Sequence, residues 1–126
     1  MDSENKDYKI IVVEDDEDMR DLIRKVLSKK DYKVEEAPDG ESALKLLEKN
    51  QDADLVIADI HMPGISGIDL LREIKKKYPL KKVILITSFG IKDQYVSAIK
   101  EGAFEFLCKP FSNRRLLDVV ARAFRT

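Results

Sequence analysis

Four short apolar runs, Ile10-Ile11-Val12-Val13, Leu55-Val56-Ile57-Ala58, Val83-Ile84-Leu85-Ile86 and Phe104 to Cys108, constrain this chain more than any other feature. Each is too short for a typical helix and rich in β-forming residues, which predicts buried strands. A weaker run, Tyr32-Lys33-Val34-Glu35, alternates apolar and polar residues and suits an edge strand. Between the runs lie helical patterns. The first carries Met19, Leu22, Ile23, Val26 and Leu27, and the last carries Leu116, Leu117, Val120, Ala121 and Phe124. Three shorter ones centre on Ala43-Leu44-Leu47, on Leu71-Ile74 with Tyr78 behind, and on Ile91-Tyr95-Ala98-Ile99. Asp39 precedes the second helix, Ser66 stands three residues before Asp69 as a capping pair, Pro79 follows the third helix and Gly102 the fourth. Strict alternation of strand and helix predicts an α/β fold, a five-stranded parallel sheet covered on both faces by five helices.

A chain of 126 residues is sized for one domain, here 8–126, after a polar tail over 1–7 that reads as disordered. The 23 Lys and Arg against 24 Asp and Glu leave a net charge of -1, which removes the electrostatic case for direct nucleic-acid or anionic-membrane binding. No apolar stretch approaches a membrane span and the first residues lack a signal-peptide core, so a cytoplasmic location is expected. Cys108, the single cysteine, has no disulfide partner within the chain and reads as a small buried residue. The lysine runs Lys75-Lys76-Lys77 and Lys81-Lys82 read as solvated faces, and the basic side of the last helix, Arg114, Arg115, Arg122 and Arg125, as complementing the helix dipole.

In an open parallel sheet, ligands bind outside the carboxyl ends of the strands. The residues there are Glu14 and Asp15 after the first strand, Asp59 after the third, Thr87 and Ser88 after the fourth, and Lys109 after the fifth. Three carboxylates gathered at one edge are costly unless a cation joins them, and hard oxygen ligands favour Mg²⁺, with Mn²⁺ able to substitute. A carboxylate beside Mg²⁺ can attack phosphorus, with an ammonium and a hydroxyl supporting the phosphoryl oxygens. Asp59, alone on the middle strand, is the expected nucleophile. Glu14 and Asp15 are better suited to hold metal, and the turn Ile60-His61-Met62-Pro63-Gly64 offers the backbone carbonyl of His61 as a further ligand.

These residues resemble the receiver domain of two-component response regulators, and the similarity runs from Lys9 to the last helix. Val12-Val13-Glu14-Asp15-Asp16 resembles the family's acidic pair, and Asp59 with Met62-Pro63-Gly64 and Gly67 its phosphoacceptor segment. Thr87-Ser88 resembles the switch hydroxyl, and Lys109-Pro110-Phe111 the lysine-proline signature. The resemblance implies a flavodoxin-like doubly wound sheet of order 2-1-3-4-5. It implies Mg²⁺-dependent phosphoryl transfer from a sensor histidine kinase or phosphotransfer protein to Asp59, followed by hydrolysis. It also implies a switch in which Thr87 turns toward the phosphoryl group, Phe106 turns inward, and the face of helix 4, strand 5 and helix 5 changes. That face is the one expected for a homodimer or for control of an output domain or partner protein. Such a domain is a signalling switch that modifies only itself.

Several positions depart from the commonest family pattern. The acidic pair is Glu14-Asp15 rather than two aspartates, and Asp16 extends it as a potential substitute ligand. The switch aromatic is Phe106 rather than tyrosine. His61 and Phe89 stand two residues after Asp59 and Thr87, positions that adjust access of the hydrolytic water in this family, so an unusual dephosphorylation rate is expected. Other readings are an Mg²⁺-dependent phosphohydrolase with an aspartyl nucleophile, a flavin carrier, and a phosphate-independent interaction module. The phosphohydrolase would need a second acid where His61 stands, and in a flavin carrier the acidic loop would repel the flavin phosphate.

Overall fold

The computed structural model describes residues 8–88 and 99–125. In chain order the elements are β1 (Lys9–Val13), α1 (Glu17–Ser28), β2 (Lys33–Ala37), α2 (Gly40–Lys49), β3 (Leu55–Asp59), α3 (Gly67–Lys77), β4 (Lys82–Ser88), β5 (Glu105–Lys109) and α4 (Asn113–Arg125). The expected fifth helix is thus α4. The expected fourth helix lies outside the described residues except for its end, Ile99 and Lys100, which are helical. The tail expected over 1–7 also lies outside them.

All four strand pairings are parallel and the sheet order is β2-β1-β3-β4-β5, the flavodoxin-like arrangement. Because side chains alternate across a strand, each apolar run supplies two cores. Ile11, Val13, Val56, Ala58, Val83, Leu85 and Phe106 face the helices α2 and α3, meeting Ala43, Leu47, Leu70, Leu71 and Ile74. Ile10, Val12, Leu55, Ile57, Ile84, Ile86 and Leu107 face α1 and α4, meeting Ile23, Leu27, Leu116, Val119, Val120 and Ala123. Burying each such aliphatic side chain contributes about 1.5–3 kcal/mol, so the central strands are the anchor of the fold.

The helices start where their caps dictate. Asp16 accepts from the amides of Asp18 and Met19, Asp39 from Ser42 at 2.8 Å, and Ser66 from Asp69 at 3.1 Å. β2 begins one residue later than its sequence pattern suggests, because Tyr32 is buried against Phe124, 5.5 Å between rings, instead of pairing in the sheet.

Lys76 and Lys77 are exposed, as expected of a solvated face, but Lys75 and Lys81 are half-buried: Lys75 Nζ donates to the carbonyl of Lys81 at 2.7 Å, and Lys81 Nζ to those of Gln51 and Ala53, each at 2.6 Å. Lys82 Nζ likewise donates to Ala123 O at 2.6 Å. These ammonium groups satisfy carbonyls left over at turns and a helix end, at the opposite end of the strands from Asp59; burial holds the Lys75 and Lys81 pKa values below the usual lysine range, against the charges of Asp54 and Asp52 at Lys81. Cys108, expected buried, is exposed, because it lies near the end of an edge strand that pairs only with β4.

Candidate functional site

The strand register aligns the carboxyl ends. Val13 pairs with Ala37 and Ala58, Asp59 with Ile86, and Ser88 with Lys109, so Glu14, Asp59, Thr87 and Lys109 emerge at one edge. The turn after β1 is pinned at both ends of one residue. The Glu14 amide donates to Ala37 O at 3.1 Å, and its carbonyl accepts from Arg20 Nη1 at 2.7 Å. The loop after β3 folds back on its own strand: Gly67 N donates to Ile60 O at 2.9 Å, and a Cβ on Gly67 would lie 2.3 Å from Asp59 O. Only glycine permits that approach, and Gly64 supplies the left-handed turn at φ 80° that precedes it.

The polar centre is buried. Asp59 Oδ1 accepts from the His61 amide at 2.8 Å and Oδ2 from Lys109 Nζ at 2.7 Å. Lys109 Nζ also lies 3.2 Å from Glu14 Oε1. That contact is an ion pair without hydrogen-bond alignment, so Oε1 is the one buried side-chain oxygen among the described residues that receives no hydrogen bond. Glu14 Oε2 accepts from Asp16 N at 3.1 Å. Burial pushes the Glu14 pKa from its ordinary 4.5 up to about 7; the Asp16 amide opposes this, the Asp59 charge adds to it, and Lys109 opposes it again. For Lys109, burial acts downward, but the hydrogen bond and charge of Asp59, with Glu14 behind, outweigh it and hold the ammonium above the usual lysine range.

Oxygens of Glu14, Asp15 and Asp59 lie within 4.8 Å of one another, with Glu14 and Asp59 buried and Asp15 exposed. An all-oxygen set with two buried carboxylates, one of them holding an oxygen that receives no hydrogen bond, suits a hard divalent cation. Asp16 is not part of it. Its Oδ1 is engaged in the α1 cap, accepting from the amides of Asp18 and Met19. Thr87 is buried and its Oγ1 donates to Ser88 O at 3.0 Å. Phe106 is already buried, in the layer with Val83 and Leu85. His61 is exposed, and Phe89 lies outside the described residues.

The arrangement is a carboxylate held by an ammonium, two further acids and a nearby hydroxyl at a strand edge. A family model described as the response regulator receiver domain matches residues 10–121. The chain belongs to that family. FleR, a response regulator protein of Pseudomonas aeruginosa, is 39% identical over 114 residues, covering 90% of this chain and 24% of FleR. The receiver domain thus spans about a quarter of that relative. A receiver domain protein from Clostridium thermocellum superposes with a TM-score of 0.89 at 36% identity, covering 94% of each chain. TrrA of Thermotoga maritima, a response regulator solved with Mg²⁺ and BeF, gives a TM-score of 0.83 at 35% identity, covering 92% of this chain and 98% of TrrA. A receiver domain is a signalling switch, and among the described residues no helix is long and apolar enough to cross a membrane.

The sequence reading missed Arg20 and its partner Glu36. Arg20 Nε lies 3.4 Å from Glu36 Oε1, a contact from α1 to the edge strand β2. The available signal was weak: a cation on the first helix and an acid on the strand beside it.

Proposed function

We propose that this receiver domain, residues 8–126, takes a phosphoryl group onto Asp59 from a phosphohistidine of a sensor kinase or phosphotransfer protein in the cytoplasm. The observation that carries the reading is the buried carboxylate of Asp59 held by Lys109, whose ammonium also pairs with the buried carboxylate of Glu14. Glu14, Asp15 and Asp59, with the His61 carbonyl, would hold Mg²⁺ or Mn²⁺, which when bound supplies positive charge toward the phosphoryl oxygens.

The chain's own residues do the rest. The His61 amide and Lys109 hold Asp59 in place, which limits its freedom before attack. An Asp59 oxygen forms a bond to phosphorus as the phosphorus–nitrogen bond breaks, and the imidazole leaves with the electron pair and takes a proton. Lys109 is positioned to pair with the incoming phosphoryl oxygens. Thr87 Oγ1, which now donates to Ser88 O, turns to donate to the phosphoryl group. Water later attacks phosphorus, releasing inorganic phosphate and restoring the carboxylate. The turn of Thr87 alters the surface built from the expected fourth helix, β5 and α4, where an output domain, a partner or a second copy docks. No separate substrate is turned over.

The test is an intact mass spectrum after incubation with Mg²⁺ and acetyl phosphate, with Asp59→Asn alongside. The wild type gains one acid-labile phosphoryl group and the variant none. Equal gain by both, or none by folded wild type with Mg²⁺ bound, would refute the reading.

A further inference from the structure

Outside the acidic centre, one side chain reaches its backbone from a different element. Arg20, on the second turn of α1, donates from Nη1 to the carbonyl of Glu14 at 2.7 Å. That carbonyl belongs to the peptide leading into Asp15, and the Glu14 amide is already fixed by Ala37 O. With both ends of Glu14 tied, the direction in which the chain enters Asp15 is set. Arg20 is aligned in turn by Glu36, which also lies 3.3 Å from Arg24 Nε, and Arg24 is ion-paired to Asp21. The Arg20 side chain is 19% exposed against 34% for Arg24, so the inner arginine is the more constrained.

We propose that Arg20 is a positioning residue for the cation ligands, acting through the Glu14 carbonyl; this rests on the Mg²⁺ reading of the site given above. Charge and position predict opposite signs. An arginine near a divalent cation repels it, so deleting the charge alone would tighten binding. Deleting a hydrogen bond that orients the ligand segment weakens binding, and outer partners of metal ligands typically contribute roughly 10- to 100-fold in affinity. Arg24 carries the same charge nearby but has no bond to Glu14, which makes it the natural control.

The experiment is calorimetric titration of Mg²⁺ into wild type, Arg20→Ala, Arg20→Lys, Glu36→Gln and Arg24→Ala, with thermal melts of each metal-free protein. Arg20→Ala weakens Mg²⁺ binding about tenfold or more. Arg20→Lys recovers part of this, since an ammonium can still donate to the carbonyl. Glu36→Gln shows a smaller loss, and Arg24→Ala binds as tightly as wild type or slightly tighter. Should Arg20→Ala fail to fold, the Arg20→Lys titration decides, because it keeps the charge and alters the donor, whereas Glu36→Gln loses a negative charge and weakens binding on either ground. Wild-type binding together with unchanged or tighter binding by Arg20→Ala, or by Arg20→Lys where the alanine variant does not fold, overturns the inference alone. An equal loss in Arg24→Ala also overturns it. Absence of Mg²⁺ binding by the wild type overturns the reading of the site and this inference together.

Discussion

Replacing Glu14 by Gln should make the metal-free protein more stable although it damages the site. In the folded state the Glu14 pKa is raised from 4.5 to about 7, with burial the largest cause. The folded protein therefore holds this proton more tightly than the unfolded chain does. Stability is full below about pH 4.5, falls as pH rises toward 7 and then levels off. A shift of that size corresponds to about 3 kcal/mol of folding free energy lost by pH 8. Gln resembles the protonated acid in shape and keeps an acceptor for the Asp16 amide, so it escapes the charge burial. Urea melts at pH 8 without divalent cations should show Glu14→Gln more stable by roughly 2–3 kcal/mol, and melts at pH 4.5 should show the two proteins within about 0.5 kcal/mol. Adding Mg²⁺ at pH 8 should stabilise the wild type more than the variant, because only the native state offers the assembled ligands. A variant no more stable than wild type at pH 8, or one whose advantage persists at pH 4.5, would refute the argument that Glu14 is a buried charge that Lys109 only partly compensates.

Other expectations follow from particular contacts. Asp16→Ala removes the α1 cap and should cost about 1 kcal/mol in urea melts while changing Mg²⁺ affinity little, since its carboxylate is turned to the helix amides. Gly67→Ala forces a methyl against the Asp59 carbonyl and should destabilise by roughly 1–3 kcal/mol and slow phosphoryl uptake from acetyl phosphate; normal uptake would contradict the close packing of that loop. Ile57→Ala opens a cavity in the α1 and α4 layer and should cost about 2–5 kcal/mol by the same melts. Exchanging His61 and Phe89 for small polar residues should change the half-life of the phosphorylated protein, and an unchanged half-life would remove both from control of the hydrolytic water.

Much of the fold is written locally. The runs at Ile10, Leu55 and Val83 are buried on both faces, so their composition alone marks them as central strands, and the residues just beyond them fall at the ligand-binding edge by the logic of parallel sheets. That is why Glu14, Asp59, Thr87 and Lys109, with Asp15, group together on the sequence alone. What escaped the sequence depends on distance in space. Whether Lys81 is solvated depends on carbonyls 28 and 30 residues away, and whether Arg20 touches Glu14 depends on the turn between them and on Glu36 across the sheet. Asp16 looked like one more acid in a run, yet the acidic first turn that follows it, Glu17 and Asp18, marks it as a helix cap. Cys108 was misread because an apolar run hides the difference between a central strand and an edge strand.

The most direct test of the account is to locate the modified atom. Protein phosphorylated with acetyl phosphate and Mg²⁺ would be reduced with borohydride, which converts an acyl phosphate to an alcohol, then digested and sequenced by mass spectrometry. Homoserine is expected at position 59, with intact acids at Glu14 and Asp15. Reduction at Glu14, at Asp15 or at no carboxylate in protein that carries the phosphoryl group would contradict that expectation.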